Sequence, residues 1–501
     1  MVAAKNIIKK LTVEVDTNSM AIALQLKDDL SSFFSEKVGP VLDEVISKKI
    51  AENKFIRLDN LSLSIELNPN EKLENILPKI ISKTEEAIEE IDLKSENEND
   101  SNTRLNNTQK RVQEAFIYYL KKGQYPWWFD ENHQFTEDDI KTINKEQLRT
   151  IFNSNNCLDR FIYQFDLKLI ILVYSVLNNT PEKANKKLGN IPTLLQKEAV
   201  KASFWRMVFK QRLSPNPSHF IEAFHELISR EFISENKSIL LRRSEVKKLQ
   251  NVLEFCVQNL SLNIQLEESK KEPNQYFLTW NNEGQKAQKI QKIFTENNTV
   301  LQIKKDPFLP SSATPSESTF REENSLQDVQ RFEADLEEGI LVKNTGLILI
   351  HPFIKHFFEK LEFLSENSIK PEKIDEAIHI LHYLACKKLQ PYEHELVFEK
   401  YLCHVPLHFP IKKRISLTAA QLEACEELLK AILNHWETLK TKNTEVLRSE
   451  FLMREGKLKI ASEKDTLYIQ RKTQDILLDT LPWNFHIVKI PWKQKILFIN
   501  W

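Results

Sequence analysis

Glycine is scarce in this sequence, which contains only 7 among 501 residues. Average usage of about 7% would give roughly 35. Helices tolerate such scarcity, whereas phosphate-binding loops and tight turns depend on glycine, because it adopts backbone angles that other residues avoid. The GxSxG, GxGxxG, Walker and HExxH motifs are absent as well. These absences predict a mainly α protein that is not an enzyme and uses no cofactor.

An excess of either charge is also missing, since 70 Lys and Arg stand against 71 Asp and Glu, a formal net charge of -1. No global electric field therefore favours binding to nucleic acid or to an anionic membrane. The most apolar run, Leu169 to Leu177, is about half of what a membrane span needs. We predict that this run is a core helix, and that neither nucleic acid nor a membrane is a partner.

Cysteine pairs are missing too. The cysteines are five in number, scattered along the chain and without any CxxC spacing. The first ten residues carry no apolar segment long enough for a secretory signal. This pattern is typical of buried thiols in a reducing compartment, and it predicts a protein that is cytoplasmic when it assembles. The cysteines are Cys157, Cys256, Cys386, Cys403 and Cys425.

Residues 1–94 are predicted to form a small α/β unit with the order β-α-α-β. Apolar residues alternate with polar ones over Leu11–Val15 and again over Leu61–Leu67, and a period of two indicates half-buried strands. Ala21–Phe34 and Val41–Ile50, between these runs, have helical spacing.

The rest of the chain is predicted as a series of helical domains. Residues 95–111 are rich in Asn, Ser and Glu and are predicted as a polar linker. A central helical region follows over 112–303, and a Pro/Ser-rich linker over 304–335. Residues 336–456 are predicted as a C-terminal helical domain, and 457–501 as a Trp-rich terminal β-sheet. The fold class is therefore a mainly α, multi-domain helical protein with a small N-terminal β-α-α-β unit and a small C-terminal sheet.

Local signals locate individual elements in the C-terminal part. Thr418 and Gln421 are spaced as a capping box for one helix, and Pro352 and Pro371 fit the first turns of two others. Four strands are predicted in the tail, and the tryptophans there are expected to pack on the sheet that they form. The strands are Leu458–Ala461, Leu467–Arg471, Phe485–Ile490 and Ile496–Ile499.

Histidines cluster in the same part of the chain. His379 with His382, and Cys403-His404 with His408, have spacings at which a helix could hold zinc. Pro406 interrupts the second group, and no second cysteine pair stands at zinc-finger spacing. The favoured interpretation is that these are core or interface histidines, so no metal is predicted.

Two arginines and several tryptophans are the candidate interaction residues. Arg448 and Arg454 flank Phe451; they are either a surface pair or a lock on the tail sheet through carboxylates such as Asp475 or Asp479. Trp483 is interpreted mainly as a core residue, whereas Trp501 suits a core or an interface role equally. The full set of candidate interaction residues is Trp127, Trp128, Arg448, Arg454, Trp483, Trp492 and Trp501.

An ordered series of short motifs carries a family resemblance. It covers roughly the last 155 residues and one element nearer the N-terminus. The motifs are Leu120-x-x-Gly123-x-x-Pro126-Trp127-Trp128, Gly346-Leu347-x-Leu349-x-His351-Pro352-Phe353, Ile378-His379-x-Leu381-x-Tyr383-Leu384-Ala385, Leu402-Cys403-x-x-Pro406-Leu407, His435-Trp436-x-x-Leu439-Lys440 and the tail tryptophans. The series resembles the contractile injection system tape measure family, the assembly proteins of phage-tail-like particles. His404 stands where this family usually has glycine.

The resemblance implies a protein that associates with the inner tube of a contractile particle and sets the length of that tube. Inner-tube and baseplate proteins are the partners that it implies, and a homo-oligomer is compatible with it. The alternative is a globular adaptor or chaperone that binds tube or baseplate subunits of the same particle. In either case the protein is expected in the cytoplasm at assembly, and a place inside the assembled or released particle stays open.

Overall fold

The structure is a computed structural model of the chain. It describes residues 30, 33–49, 61–66, 75–96, 103–130, 135–141, 143–178, 198–215, 264–268, 276–280, 288–292 and 326–501, together with isolated positions at 11, 13, 14, 133, 219, 220, 223, 224, 227, 250, 253 and 254. The chain divides into two compact units. The first comprises Met1–Phe116 and Pro126–Phe135, and the second comprises Ile117–Tyr125 and Thr136–Trp501. The fold is mostly helical, which confirms the predicted class.

The first unit is held by helices around a small apolar cluster. A π-helix over Phe34–Val38 leads into α1 (Gly39–Lys49), and α2 covers Ile76–Glu96. The buried cluster consists of Phe33, Val38, Leu42 and Ile80. Helix α3 covers Thr103–Lys122, so part of the predicted polar linker 95–111 is helical; residues 97–102 lie outside the described residues.

The strands predicted for this unit differ from what the structure shows. Residues 61–66 have no strand assignment, and neither do the described positions 11, 13 and 14. Leu63 and Ile65 nevertheless pack on the apolar cluster, while Ser64 and Glu66 are exposed. The period of two therefore identified the apolar face of this segment but not a strand, and in the described residues that face packs against helices. Most of the predicted helix Ala21–Phe34 lies outside the described residues.

Successive helices begin the second unit, as the sequence predicts for the central region. Asn144 and Ser154 accept hydrogen bonds from the first turns of the helices Lys145–Phe152 and Asn155–Gln164, as helix N-caps do. The apolar run Leu169–Leu177 is a helix with almost every side chain buried, which confirms the predicted core helix. The helices are α4 (Glu137–Lys141), α5 (Lys145–Phe152), α6 (Asn155–Gln164), α7 (Leu167–Asn178) and α8 (Glu198–Leu213).

A three-stranded antiparallel sheet lies within the segment predicted as helical, so the prediction for 112–303 needs correction there. Strands β1 (Ile264–Glu268), β2 (Tyr276–Trp280) and β3 (Gln288–Lys292) pair in chain order. The register shifts between Phe277 and Leu278, where β2 meets β3. The aromatic run of β2 and the Asn281-Asn282-Glu283-Gly284 sequence after it are strand and turn signals.

Short helices and two-residue strands fill the region before the tail. Helix α9 begins at Leu326, so the predicted linker 304–335 is helical near its end; residues 304–325 lie outside the described residues. Pro352 and Pro371 sit in helical first turns, and the Thr418–Gln421 capping box is present, as predicted. The elements are α9 (Leu326–Glu338), a 3-10 helix (Thr345–Ile350), α10 (His351–Lys360), strands β5 (Leu364–Ser365) and β6 (Ser368–Ile369), α11 (Ile374–Cys386), α12 (Val397–Leu402), α13 (Ala419–His435), α14 (Thr444–Leu447), a π-helix (Arg448–Leu452) and a 3-10 helix (Thr473–Thr480), with further 3-10 turns at Pro371–Lys373, Glu393–Glu395 and Glu437–Leu439.

A five-stranded sheet closes the C-terminal region. The four predicted tail strands are present, within a few residues of their predicted bounds, and a fifth precedes them in the chain. Across the sheet the strands lie in the order Ile340–Val342, Gly456–Ile460, Asp465–Ile469, Ile496–Asn500 and Ile487–Lys489. The third and fourth strands in this order are parallel, and the other pairs are antiparallel. One apolar core extends from Phe332 to Ile499. The strands are β4 (Ile340–Val342), β7 (Gly456–Ile460), β8 (Asp465–Ile469), β9 (Ile487–Lys489) and β10 (Ile496–Asn500).

Candidate functional site

Arg454 joins the π-helix region to the chain's last residues through Asp475. Two guanidinium nitrogens of Arg454 donate to the two carboxylate oxygens of Asp475, at 2.7 and 2.8 Å. The indole N–H of Trp501 donates to the same carboxylate at 2.9 Å, and its ring lies 5.4 Å from the Arg454 guanidinium carbon. Arg454 and Asp475 are almost completely buried. The sequence-based option of a lock through Asp475 matches this geometry.

Asp475 stays ionised within this arrangement. Burial by itself would raise the pKa of its carboxyl, but hydrogen bonds from Arg454, from the Lys472 backbone and from Trp501 outweigh burial and lower the pKa below its usual value. A carboxylate that accepts four hydrogen bonds, two of them from a guanidinium, is held in one orientation. The lock therefore fixes the 3-10 helix Thr473–Thr480 against the strands.

Arg448 forms a separate internal cluster. Its guanidinium donates to Glu426 at 2.7 Å, to Glu445 at 2.7 Å and to the carbonyl of Leu384 at 3.0 Å. The side chain is only 2% exposed. Arg448 thereby ties α11 and α13 to α14, and its partners differ from the Asp475 and Asp479 suggested by the sequence. Asp479 instead forms a solvent-exposed pair with Arg471 at 3.0 Å.

The remaining tail tryptophans turn their indole nitrogens towards backbone carbonyls of the core. Trp492 stacks parallel to Phe358 with ring centroids 5.4 Å apart and donates to the Leu402 carbonyl at 2.8 Å. Trp483 meets Phe353 edge-on and donates to the Leu349 carbonyl at 3.0 Å. Both rings are half-buried on the C-terminal core. The sequence predicted packing on the sheet, whereas these ring contacts and hydrogen bonds are with α10, α12 and the 3-10 helix Thr345–Ile350.

The paired tryptophans Trp127 and Trp128 lie in the first unit and differ in exposure. Trp128 is buried, and its carbonyl accepts a hydrogen bond from Arg111 at 2.7 Å. Trp127 is 37% exposed. Of this pair, Trp127 is therefore the side chain available to a partner, and the interaction role of both remains a prediction.

Two motif positions have a structural reason for their residue type. A Cβ on Gly346 would overlap the backbone of Phe451 and Leu452, because the 3-10 helix that contains Gly346 packs directly on the π-helix. His404 has a φ of 58°, in the left-handed region that favours glycine. His404 thus adopts the left-handed backbone conformation at the position where the sequence resemblance leads one to expect glycine.

A buried charge cluster joins α6 to the C-terminal region, and no sequence pattern indicated it. Arg160 donates to both oxygens of Glu393 at 3.1 and 3.0 Å, and Lys400 donates to Glu393 at 2.5 Å. All three side chains are at most 1% exposed. Burial lowers the pKa of Lys400 to about 8, while Glu393 opposes that shift and Arg160 adds to it. Residues 233 positions apart are therefore fixed together inside the second unit.

The Leu120-x-x-Gly123 part of the first motif belongs to the same cluster. The Leu120 carbonyl accepts a hydrogen bond from Arg160, and Gly123 has a φ of 73°. A Cβ on Gly123 would overlap the Glu393 carboxylate. Gln164, one turn beyond Arg160, accepts from the Glu393 backbone at 3.1 Å. The motif glycine thus makes room for a buried carboxylate, a link that only the tertiary structure reveals.

The clustered histidines make internal contacts. His382 pairs with Glu399 at 2.8 Å, and Asn344 donates to the same Glu399 oxygen at 2.9 Å. His379 contacts the Lys412 carbonyl through Nε2 at 2.7 Å. Burial lowers the pKa of His408 to about 3. Within the described part of the chain, no three His, Cys, Asp or Glu side chains are grouped to hold a metal ion.

The four cysteines that the structure describes are free thiols, and three of them are buried. Burial raises the pKa of Cys425 to about 12, so this thiol stays protonated and unreactive. No helix of the described residues is both long enough and apolar enough to cross a membrane.

These clusters orient and fasten elements of the fold. No curated protein and no solved structure is similar enough to this chain to count as a match. A sequence profile described as contractile injection system tape measure protein matches residues 5–501. This match extends the resemblance from the motifs to almost every residue. The chain therefore belongs to the contractile injection system tape measure protein family.

Proposed function

We propose that this protein sets the length of the inner tube while a contractile injection particle assembles, without catalysing a reaction. The observation that carries the proposal is that the family match covers residues 5–501 and is not confined to one terminal element. Inner-tube and baseplate subunits are the proposed partners. Assembly takes place in the cytoplasm, and the protein acts there as a monomer or a homo-oligomer.

A ruler must convert residue number into distance, and an α-helix does so at about 1.5 Å per residue. A compact region cannot, because residues distant in sequence meet in space, as Arg160 and Glu393 do. Residues 326–501 share one apolar core and a locked tail, and these features suit a terminal anchor. We therefore assign the measuring role to residues that precede this anchor and take no part in the Arg160–Glu393 contact, such as 229–249.

The alternative function is a globular adaptor or chaperone that binds tube or baseplate subunits. The buried Arg160–Glu393–Lys400 cluster supports it, because such a contact stabilises compact over extended arrangements of the second unit. The two functions differ in one observable. A ruler changes tube length in proportion to its residues, whereas an adaptor changes only the number of particles.

Deleting residues 229–249 tests the proposal. The deletion spares the buried Phe224, Leu227 and Leu253. A helical, extended segment of 21 residues accounts for about 32 Å of tube. We expect the deletion to shorten the tube by that amount and a duplication to lengthen it equally, as measured on electron micrographs. Replacing the segment by an unrelated helical sequence of equal length is the control and should leave the length unchanged. Particles of normal length from both the deletion and the duplication would contradict the ruler and favour the adaptor.

A further inference from the structure

The five-stranded sheet has one face on the apolar core and one face turned outward. Directly paired residues in a sheet place their side chains on the same face. The pairs Leu341↔Lys457, Lys457↔Tyr468, Tyr468↔Asn500, Phe498↔Ile487 and Ile496↔Lys489 therefore define one continuous outer face across all five strands. Exposure alternates accordingly along β9 and β10. With strands about 4.8 Å apart, this face is about 19 Å wide.

Large apolar side chains lie exposed on this outer face. Leu341 is 81% exposed, Ile487 56%, Tyr468 41% and Ile496 40%. Single exposed apolar residues are ordinary, but several on one face of one sheet mark an interaction surface. The tail tryptophans, by contrast, are half-buried with their indole N–H groups bonded internally. Within the five-stranded sheet, the apolar side chains available to a partner are thus those of the outer face.

The charge of the outer face has a single sign. Lys457, Lys459 and Lys489 belong to it, and none of its strand residues is Asp or Glu. The Lys459 ammonium lies 5.6 Å from the Tyr468 ring centroid. The Lys464 ammonium, in the turn before β8, lies 5.7 Å from the Phe498 ring centroid. Positive charge therefore lies over the apolar surface itself, in a chain whose formal net charge is -1.

Asp465, the carboxylate at the start of β8, lies on the inner face of the sheet. Asp465 is 1% exposed and accepts a hydrogen bond from the Tyr401 hydroxyl at 2.8 Å. Lys493 and Lys495 lie 3.8 and 3.9 Å from its oxygens. Asp465 is thus engaged on the inner side and does not neutralise the lysines of the outer face.

We propose that the outer face docks a folded protein subunit whose complementary surface is apolar and ringed by Asp and Glu side chains. Charge complementarity identifies the partner, because a lysine-rich apolar face selects against basic surfaces and attracts acidic ones. Aliphatic side chains are the most exposed members of the face, and burying them favours a protein partner, whereas single-stranded nucleic acid stacks on aromatic rings. The edge strands β4 and β9 have three residues each, so docking uses the face and not strand addition at an edge. This inference requires that the protein acts in a contractile injection particle, as its family indicates. It does not require the proposed length-setting role.

The test uses the full chain and the purified inner-tube and baseplate subunits of the same particle. The variant carries Ile487→Ser and Lys489→Glu, both on the outer face. A matched control carries Ile476→Ser and Lys430→Glu, at an isoleucine that is 67% exposed on the 3-10 helix Thr473–Thr480 and at an exposed lysine on α13. Titration calorimetry measures binding of each subunit at low and at high salt. Thermal melting checks that both variants fold. If the double variant does not fold, the single variant Lys489→Glu replaces it.

We expect one subunit to bind the wild-type chain, and the outer-face variant to weaken that binding at least about tenfold. The control is expected to change it less than about twofold, and the Lys489→Glu effect should shrink at high salt because salt screens the charges. Equal binding by wild type and variant, equal losses in variant and control, or no binding by any subunit overturns the inference. Binding to single-stranded DNA or to anionic vesicles in place of a subunit overturns it as well. If the tube length responds to changes in residues 229–249 and the outer-face variant binds normally, this inference is wrong and the proposed length-setting function stands.

Discussion

Arg454 and Asp475 form a two-point ion pair in the C-terminal core, and Arg471 and Asp479 form a second arginine–aspartate pair on the same 3-10 helix. The first pair has side chains that are 2% and 0% exposed, and the second has side chains that are 55% and 67% exposed. The same chemistry thus occurs twice on Thr473–Thr480, four residues apart, in two different environments. This pairing provides an internal comparison of buried and exposed ion pairs.

Asp475→Asn is expected to destabilise the protein far more than Asp479→Asn. Removing one partner of a buried pair leaves an uncompensated charge and costs about 3 to 5 kcal/mol. Breaking an exposed pair costs about 1 kcal/mol or less. Denaturant unfolding of both variants measures the difference in the free energy of unfolding. Equal losses in the two variants would show that the Arg454 lock contributes no more than a surface pair.

The Asp475 pair also predicts a pH dependence. Its pKa is lower in the folded state than in the unfolded chain, so its stabilisation is complete above the unfolded value of about 3.9. The stabilisation is lost as pH falls from there through the folded pKa. Asp475→Asn should therefore remove part of the acid-induced loss of stability below about pH 4, measured by thermal melting across pH. An unchanged acid limb in the variant would contradict the prediction.

Glu393→Gln is expected to destabilise the second unit by about 3 to 5 kcal/mol at neutral pH, because Arg160 and Lys400 lose their buried counter-charge. The Lys400 pKa is about 8 when folded and lies below its unfolded value. Without Glu393 the folded-state pKa of Lys400 should fall further. Raising the pH towards 10 discharges Lys400 in both folded proteins, so the difference in the free energy of unfolding between the variant and wild type should become smaller. Glu395→Gln, whose pair with Lys388 is part-exposed, is the control and should cost about 1 kcal/mol or less.

A fragment of residues 326–501 is expected to fold alone, because the apolar core of this region lies between Phe332 and Ile499. The fragment lacks Arg160, so it should melt at a lower temperature than a fragment of residues 117–501. Limited proteolysis of the full chain is expected to cut first between Lys304 and Gln327. Early cuts within 340–501, or a fragment without helical circular dichroism, would show that the C-terminal domain is not independent.

Trp492→Ala is expected to cost about 3 to 5 kcal/mol, because the ring stacked on Phe358 leaves a cavity when it is removed. Trp492→Phe keeps an aromatic ring and loses the bond to the Leu402 carbonyl together with the smaller part of the ring packing, so it should cost less than Trp492→Ala, about 1 to 2 kcal/mol. Circular dichroism and subunit binding, measured together, separate a role in folding from a role in attachment. Full stability with lost binding in Trp492→Ala would make this tryptophan a docking residue instead.

The sequence by itself determined the local features. Scarce glycine predicted the helical class, the Thr418–Gln421 spacing predicted a helix start, and four tail strands were predicted near their observed positions. These features depend on residues close in the chain, where backbone propensity and capping act directly. Dependence on nearby residues also explains why a predicted strand was wrong. Leu61–Leu67 has the alternation of a strand, but alternation does not specify whether the apolar face packs on a strand or on helices.

The tertiary structure alone decided which distant residues meet and which faces remain outside. Arg160 finds Glu393 across 233 positions, and no local pattern marks either residue. Asp475 and Asp479 are alike in sequence, yet only Asp475 is buried beside Arg454. The sequence left Trp501 open between a core and an interface role, whereas the register of five strands placed Leu341, Ile487 and Lys489 on the outer face. Burial and register are set by packing across the whole core, because a side chain's exposure depends on neighbours that the chain supplies from far away.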